Sequence, residues 1–149
     1  MSDLNVSLRC GLVFVAFALY VSARAECALK TLEPKGTVIG AGAFDLTRGE
    51  ADDRVHPSAW QGPLVTGKCT LELGIIEPPL VLVSNSLLYV PSYSGNMRTL
   101  SLVDLAACSV RWRSWAFSGD LRISPTALEL GGQRVKLDGN CLPANWQRQ

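Results

Sequence analysis

Apolar and polar residues alternate with a period of two through most of the second half of the chain. In 87–93 both parities carry apolar side chains, which predicts a strand buried on both faces. Pro91 interrupts this run, and an interior strand rarely accommodates a proline. Ser94-Gly95-Asn96 predicts a tight turn, and 97–104 then alternates as the returning strand of an antiparallel hairpin.

The same alternation predicts a third strand with two unlike faces. Val110 and Trp112 fall on an apolar face, whereas Arg111, Arg113 and Trp115 fall on the other. Further along, a short strand at Leu121 and Ile123 follows a Ser-Gly-Asp turn, and Gly131-Gly132 between two apolar runs predicts another hairpin. We therefore expect a succession of short antiparallel strands.

This stretch resembles a single blade of a quinoprotein-like β-propeller. The matching motifs are Leu88-Tyr89-Val90, Ser94-Gly95-Asn96, Asp104-Leu105 and Val110-Arg111-Trp112. A propeller needs about four to eight blades to close, and the sequence shows no second copy. The resemblance therefore implies meander-like strands and carries no function over to this chain.

The first half of the chain is less regular. Residues 47–62 are polar and aperiodic, which predicts an exposed loop with His56 and Trp60 as its surface candidates. Residues 64–74 alternate as a half-buried strand, and Glu77-Pro78-Pro79 stops the apolar run that follows. No stretch has the pattern of a long amphipathic helix. The predicted fold class is all-β or β-dominated, a single small antiparallel meander, sandwich or barrel-like domain.

Residues 1–25 have the pattern of a cleaved secretory signal peptide. Arg9 precedes an apolar run over 11–21, and Ala23-Arg24-Ala25 is a small-x-small cleavage site. The run is shorter than the roughly 20 residues of a membrane span, although an uncleaved anchor is the alternative. We predict a signal peptide at 1–25, a single disulfide-linked β domain at 26–149, and a periplasmic or secreted location.

Four of the five cysteines remain after cleavage, because Cys10 leaves with the signal segment. An even number in an exported chain predicts two disulfides among Cys27, Cys69, Cys108 and Cys141. Three pairings are open. We favour Cys27–Cys69 with Cys108–Cys141, since each pair would bracket consecutive segments. The spacing contains no C-x-x-C pair of the kind that holds a structural metal, so we expect no metal and no cofactor.

Charge and hydropathy exclude two classes of partner. The chain carries 14 Lys and Arg against 13 Asp and Glu, and cleavage brings the mature net charge near zero. A nucleic-acid binder normally shows a basic excess, so we expect no nucleic-acid partner. The mean hydropathy of +0.18 owes much to the signal segment, so we expect no stable membrane insertion after cleavage. The oligomeric state stays open.

Catalytic motifs are sparse. Asp52, Asp53 and His56 form the only cluster of a titratable base with carboxylates, and His56 is the only histidine. No G-x-S-x-G motif marks a serine nucleophile. A small secreted hydrolase that uses His56 with Asp52 or Asp53 is therefore an alternative hypothesis.

A patch rich in Arg and Trp is the stronger candidate, since these residues are enriched at protein–protein hot spots. Its predicted binding residues are Arg98, Arg111, Arg113, Trp115 and Arg122. An ordinary sheet with a solvated charged face is the competing interpretation. The leading hypothesis is a small exported non-enzymatic binding protein, such as an inhibitor or immunity-type partner of another periplasmic protein. An envelope assembly component is a further alternative.

Overall fold

The computed structural model describes residues 27–32, 38–41, 44–47, 49–53 and 58–144. The predicted signal peptide at 1–25 lies outside these residues and stays a prediction. Within the described part the chain forms strands and turns without a helix, and none of it meets the length and hydropathy of a membrane-spanning helix. The predicted β class is therefore confirmed.

The described residues form fifteen short strands. They are β1 (Lys30–Leu32), β2 (Val38–Ala41), β3 (Phe44–Thr47), β4 (Glu50–Ala51), β5 (Trp60–Gln61), β6 (Leu64–Thr66), β7 (Cys69–Leu71), β8 (Ile75–Ile76), β9 (Leu80–Leu82), β10 (Leu87–Ser94), β11 (Met97–Asp104), β12 (Ser109–Arg113), β13 (Leu121–Ile123), β14 (Ala127–Leu130) and β15 (Gln133–Lys136).

The strands make three antiparallel sheets, none of them a closed barrel. The eight-stranded central sheet is built around β10, which pairs with β11 on one side and with β9 and then β8 on the other. β1 extends the sheet from β9, β5 and β4 extend it from β8, and β12 extends it from β11. A four-stranded sheet has the order β2-β3-β6-β7, and a three-stranded sheet has the order β13-β14-β15.

The two longest strands form the predicted hairpin. β10 and β11 join through Gly95 and Asn96, and Gly95 takes a φ of 63°. A glycine with positive φ at the first central position is the type II′ pattern, whose twist matches the flanking strands. The second predicted hairpin, β14–β15 around Gly131-Gly132, is also confirmed.

Pro91 lies inside the central sheet, contrary to the expectation that an interior strand would exclude it. It pairs with Leu100 on β11, and on its other side it lies between the segment that pairs with β9 and the segment that pairs with β8. Its carbonyl accepts a hydrogen bond of 3.1 Å from the Glu77 N–H, in the link between those two short strands. A proline lacks only the N–H, so it is tolerated where one ladder ends and another begins.

Opposite faces of the central sheet carry different hydrophobic cores. The cross-strand row Leu82–Leu88–Val103 packs in one core, and the neighbouring row Val81–Tyr89–Leu102 packs in the other. The four-stranded sheet adds Leu46, Leu64 and Leu71 to the first core. The three-stranded sheet adds Leu128, Leu130 and Val135 to the second core. The molecule is thus three layers of β-sheet, and β10 is buried on both faces as predicted.

The disulfides confirm the predicted set of cysteines and show that the favoured pairing was wrong. Cys27 bonds to Cys141 and Cys69 bonds to Cys108, each with a Cα–Cα distance of 5.4 Å. Cys69 in the four-stranded sheet is tied to the turn before β12, and Cys27 before β1 is tied to the chain after β15. Each bridge therefore joins the central sheet to one outer layer, because pairing follows the stacking of layers rather than sequence order. Two such bridges indicate an oxidising, extracytoplasmic environment.

The segment 47–62, predicted as an exposed loop, contributes two strands to the edge of the central sheet. β4 pairs with β5, and Trp60 of β5 lies opposite Ile76 and is buried. Trp60 is therefore a core residue and no surface candidate. The predicted single strand at 64–74 is instead a hairpin, β6–β7, that turns at Gly67 and Lys68.

Candidate functional site

A β-bulge divides the face of the predicted Arg/Trp strand. On β11 and β12, Leu102 pairs with Trp112 and the next residue, Val103, pairs with Val110, so that Arg111 is an extra residue. A bulge of one residue reverses the parity of the side chains beyond it. Trp112 therefore packs with the core of Leu102, whereas Val110 falls on the opposite face and is 37% exposed. The prediction that Val110 and Trp112 share a face was wrong.

A second irregularity follows at the end of β12. The Ser114 N–H donates to the Leu100 carbonyl at 2.9 Å, and Phe117 exchanges two backbone hydrogen bonds with Arg98 at 2.7 and 2.9 Å. Two residues, Trp115 and Ala116, thus face the single Thr99 on β11. An extra residue of this kind redirects side chains at a sheet edge.

Ser114 stabilises this second irregularity from inside. Its side chain is buried, accepts a hydrogen bond of 2.9 Å from the Leu100 N–H and donates one of 2.7 Å to the Trp115 carbonyl. Trp115 itself is 44% exposed. The backbone around this indole is therefore held by a buried hydroxyl while the ring faces solvent, which suits an anchor side chain in an interface.

Arg111 and Arg113 lie on the same edge strand. Arg111 Nη1 lies 3.5 Å from Asp104 Oδ2, and Arg113 Nε donates to the buried Ser101 hydroxyl at 3.2 Å. Arg113 as a whole is exposed. We define the edge site as Arg111, Arg113 and Trp115.

The other two predicted arginines lie elsewhere. Arg98 shares the cross-strand row of Tyr93, on the sheet face opposite to that of Arg113. Its Nε is 2.7 Å from Glu77 Oε1, and its Nη1 donates to the Gly119 carbonyl at 2.7 Å. Arg122 lies on β13 of the three-stranded sheet, in register with Glu129. Arg111, Arg113 and Trp115 therefore lie along one edge segment of the central sheet, whereas Arg98 and Arg122 lie elsewhere.

A cleft of about 460 Å³ opens where Arg98 lies, at the tip of the β10–β11 hairpin. Its described lining includes Ala59, Glu77, Tyr93, Asn96 and Gly119 besides Arg98. Sequence reasoning missed this cleft, since its residues come from four separate segments. The sequence does predict Arg98 as a binding residue and Ser94-Gly95-Asn96 as a turn, but nothing local places them beside Glu77.

The alternative catalytic cluster is described only in part, because His56 lies outside the described residues. Asp52 accepts hydrogen bonds from the Ser58 hydroxyl at 2.5 Å, the Ser58 N–H at 2.9 Å and the Ala59 N–H at 3.0 Å. These bonds, that of the Ser58 hydroxyl first, lower the pKa of Asp52 to about 2. Asp52 thus connects the end of β4 to the residues just before β5. Asp53 also has an interaction partner. Among the described residues no group of three His, Cys, Asp or Glu is placed to hold a metal ion.

The edge site and the hairpin cleft are two surface features among the described residues. No protein-family model, curated protein or solved structure matches this chain.

Proposed function

We propose that this chain is a small exported, non-enzymatic binding protein of the periplasm or the cell exterior, an inhibitor or immunity-type partner of another exported protein. The observation that carries the proposal is the exposed Trp115, whose backbone is held in place by the buried Ser114. An exposed indole costs solvation unless a partner covers it, and Trp is prominent among interface hot spots.

The charges beside Trp115 specify the chemistry of the partner. Arg111 and Arg113 contribute two positive charges to the edge site, and Asp104 neutralises part of one. Arg presents a planar fork of donors that matches a carboxylate. The partner surface should therefore offer an apolar pocket for the indole, bordered by Asp or Glu.

The irregular strand favours side-chain recognition over strand addition. β12 has only β11 as a partner among the described strands, and its bulge at Arg111 interrupts a regular edge. Bulges at an edge oppose continuous pairing with a second chain. The proposed interface consequently depends on Trp115 and Arg113 rather than on a backbone ladder.

The test begins with capture of a partner from a periplasmic extract by the mature chain, followed by affinity measurement with the purified partner. We expect Trp115→Ala and Arg113→Ala each to weaken the affinity by about tenfold or more, as hot-spot truncations do. Arg134→Ala is the matched control, because this arginine is exposed on β15 of the three-stranded sheet and its loss should leave the affinity unchanged. Failure to capture a partner, or a partner indifferent to alanine at Arg111, Arg113 and Trp115, would contradict the proposal.

The hydrolase alternative has less support. The carboxylate of Asp52 already accepts three hydrogen bonds from Ser58 and Ala59, so it is occupied as a structural acceptor. Unchanged hydrolysis of peptidoglycan, glycan or ester substrates by His56→Ala would remove this alternative. The envelope-assembly alternative depends on the blade-like motifs alone.

A further inference from the structure

The hairpin cleft lies on the face of the central sheet that carries the core of Val81, Tyr89 and Leu102, and its described lining includes no strand residue of the three-stranded sheet. Arg98 has the same strand parity as Leu100, which packs in that core. Arg98 pairs with Tyr93, and Tyr93 pairs with Ile75 of β8. Neighbouring strands of one sheet therefore form the floor, which gives the cleft a rigid base.

The wall of the cleft is fastened to this floor. The Gly119 carbonyl accepts a hydrogen bond of 2.7 Å from Arg98 Nη1, and Phe117 exchanges two backbone hydrogen bonds with Arg98. The turn at Gly95 and Asn96 forms another side of the cleft. With a volume of about 460 Å³, the cleft falls within the range of small-molecule sites, about 300–1,000 Å³.

The described lining is polar and electrically balanced. Its charged side chains are Glu77 and Arg98, and they pair with each other at 2.7 Å. Glu77 is the more enclosed of the two, with 15% of its side chain exposed against 38% for Arg98. An ionic ligand would have to compete with this pair for one of its members, at the cost of leaving the other unpaired.

A neutral ligand with several hydroxyl groups avoids that cost. The carboxylate accepts from one hydroxyl and the guanidinium donates to another, while the ion pair stays intact. Asn96 adds an exposed amide with both donors and an acceptor, and the half-buried Tyr93 adds a ring surface and a phenolic hydroxyl. The combination of a ring surface with adjacent donors and acceptors suits the alternating apolar and hydroxyl faces of a sugar.

We propose that the cleft formed by Glu77, Tyr93, Asn96 and Arg98 binds a neutral saccharide. This site lies apart from the edge site, since Arg98 and Arg113 occupy opposite faces of the sheet. Sugar binding in this cleft therefore does not depend on the proposed protein partner.

The experiment is an amide chemical-shift titration of the mature protein with neutral trisaccharides of glucose, mannose and N-acetylglucosamine. At least one should bind saturably below about 20 mM, the weak range expected for a small open site, with shifts centred on Tyr93, Asn96 and Gly119. A trisaccharide of galacturonic acid and a tripeptide serve as charged and non-sugar comparators. Saturable binding by none of the neutral sugars, shifts centred elsewhere, or tighter binding of a comparator would overturn the proposal.

Variants at the hairpin separate binding from folding. Tyr93→Ala should weaken the sugar affinity about tenfold through loss of the ring surface, whereas Tyr93→Phe keeps the ring and should weaken it less. Asn96→Ala is a second cleft variant at an exposed turn position. Met97→Ala is the matched control, because Met97 is exposed on the opposite face of the same hairpin. Equal affinities for Tyr93→Ala, Asn96→Ala and Met97→Ala would contradict the site even if the protein binds sugar.

Discussion

The phenolic hydroxyl of Tyr89 donates a hydrogen bond of 2.9 Å to the carbonyl of Cys141, which is itself bonded through sulfur to Cys27. Tyr89 lies in the middle of β10 and is fully buried. One side chain of the central strand therefore holds the C-terminal segment at the same point where a disulfide holds it. The Cys27–Cys141 disulfide and the hydrogen bond from Tyr89 to Cys141 thus both hold the segment after β15 against the central sheet.

Replacing Tyr89 by Phe should lower the free energy of unfolding by about 1–3 kcal/mol, because the Cys141 carbonyl loses its partner while the ring packing is kept. The measurement is urea unfolding of oxidised protein. Tyr93→Phe is the control, since Tyr93 is only half-buried. Equal unfolding midpoints for the two variants would show that the Tyr89 hydrogen bond contributes nothing to stability.

Tyr89 should also make the free energy of unfolding fall at alkaline pH. Burial, with the negative charge of Asp138 as a smaller cause, raises the pKa of Tyr89 above its ordinary value of 10.0. An ionised Tyr89 is tolerated in the unfolded chain but not in the core, so the stabilisation is complete below pH 10 and is lost as the pH rises beyond it. Tyr89→Phe should therefore flatten the loss of stability above pH 10, measured by urea unfolding at successive pH values. An unchanged alkaline slope would contradict this role.

The two disulfides should differ in their contribution to stability. The Cys27–Cys141 bridge spans 114 residues and the Cys69–Cys108 bridge spans 39. In the chain-entropy model these lengths correspond to about 5 and about 4 kcal/mol, so both double Cys→Ser variants should be strongly destabilised. Calorimetric unfolding measures the difference, and non-reducing peptide mapping tests the pairing directly. A peptide that contains Cys27 joined to Cys69 would contradict the layered arrangement.

Adjacent glycines in the β14–β15 turn provide a matched pair of variants. Gly131 and Gly132 both have positive φ, 56° and 86°, but a Cβ on Gly131 would overlap the Ser118 carbonyl whereas a Cβ on Gly132 would meet open space. Gly132→Ala should lower the free energy of unfolding by about 1 kcal/mol through backbone strain alone. Gly131→Ala should lower it by about 1 kcal/mol more. Thermal unfolding of both variants checks the order, and a less stable Gly132→Ala would refute the contact with Ser118.

Acid should break the hydrogen bonds that Asp52 accepts from Ser58 and Ala59. Since the pKa of Asp52 is lowered to about 2 from 3.8, its stabilising effect is present above pH 3.8 and is lost as the pH falls towards 2. A carboxyl carbon titration by NMR should show this midpoint. Ser58→Ala removes the largest cause of the shift and should move the midpoint upwards, and a midpoint that stays at about 2 in this variant would contradict the assigned hydrogen bonds.

Local patterns predicted the β class, the two hairpins and the buried central strand well, because each depends on neighbours in sequence. Gly95 and Gly131 predict their turns because a glycine readily adopts the positive φ that these turns require. The edge site was predicted only as a residue set. The bulge at Arg111 arises from pairing with β11, and no property of residues 109–115 alone determines that register.

The sequence by itself determined that short amphipathic strands would form and that four cysteines would pair in two disulfides. Only the tertiary structure decided which cysteines meet, which face Val110 takes, that Trp60 is buried, and that Glu77 and Arg98 share a cleft. The physical reason is the range of the interactions involved. Alternation and turn preference act over a few residues, whereas the stacking of three sheets joins segments up to 114 residues apart and is decided by which apolar faces bury each other.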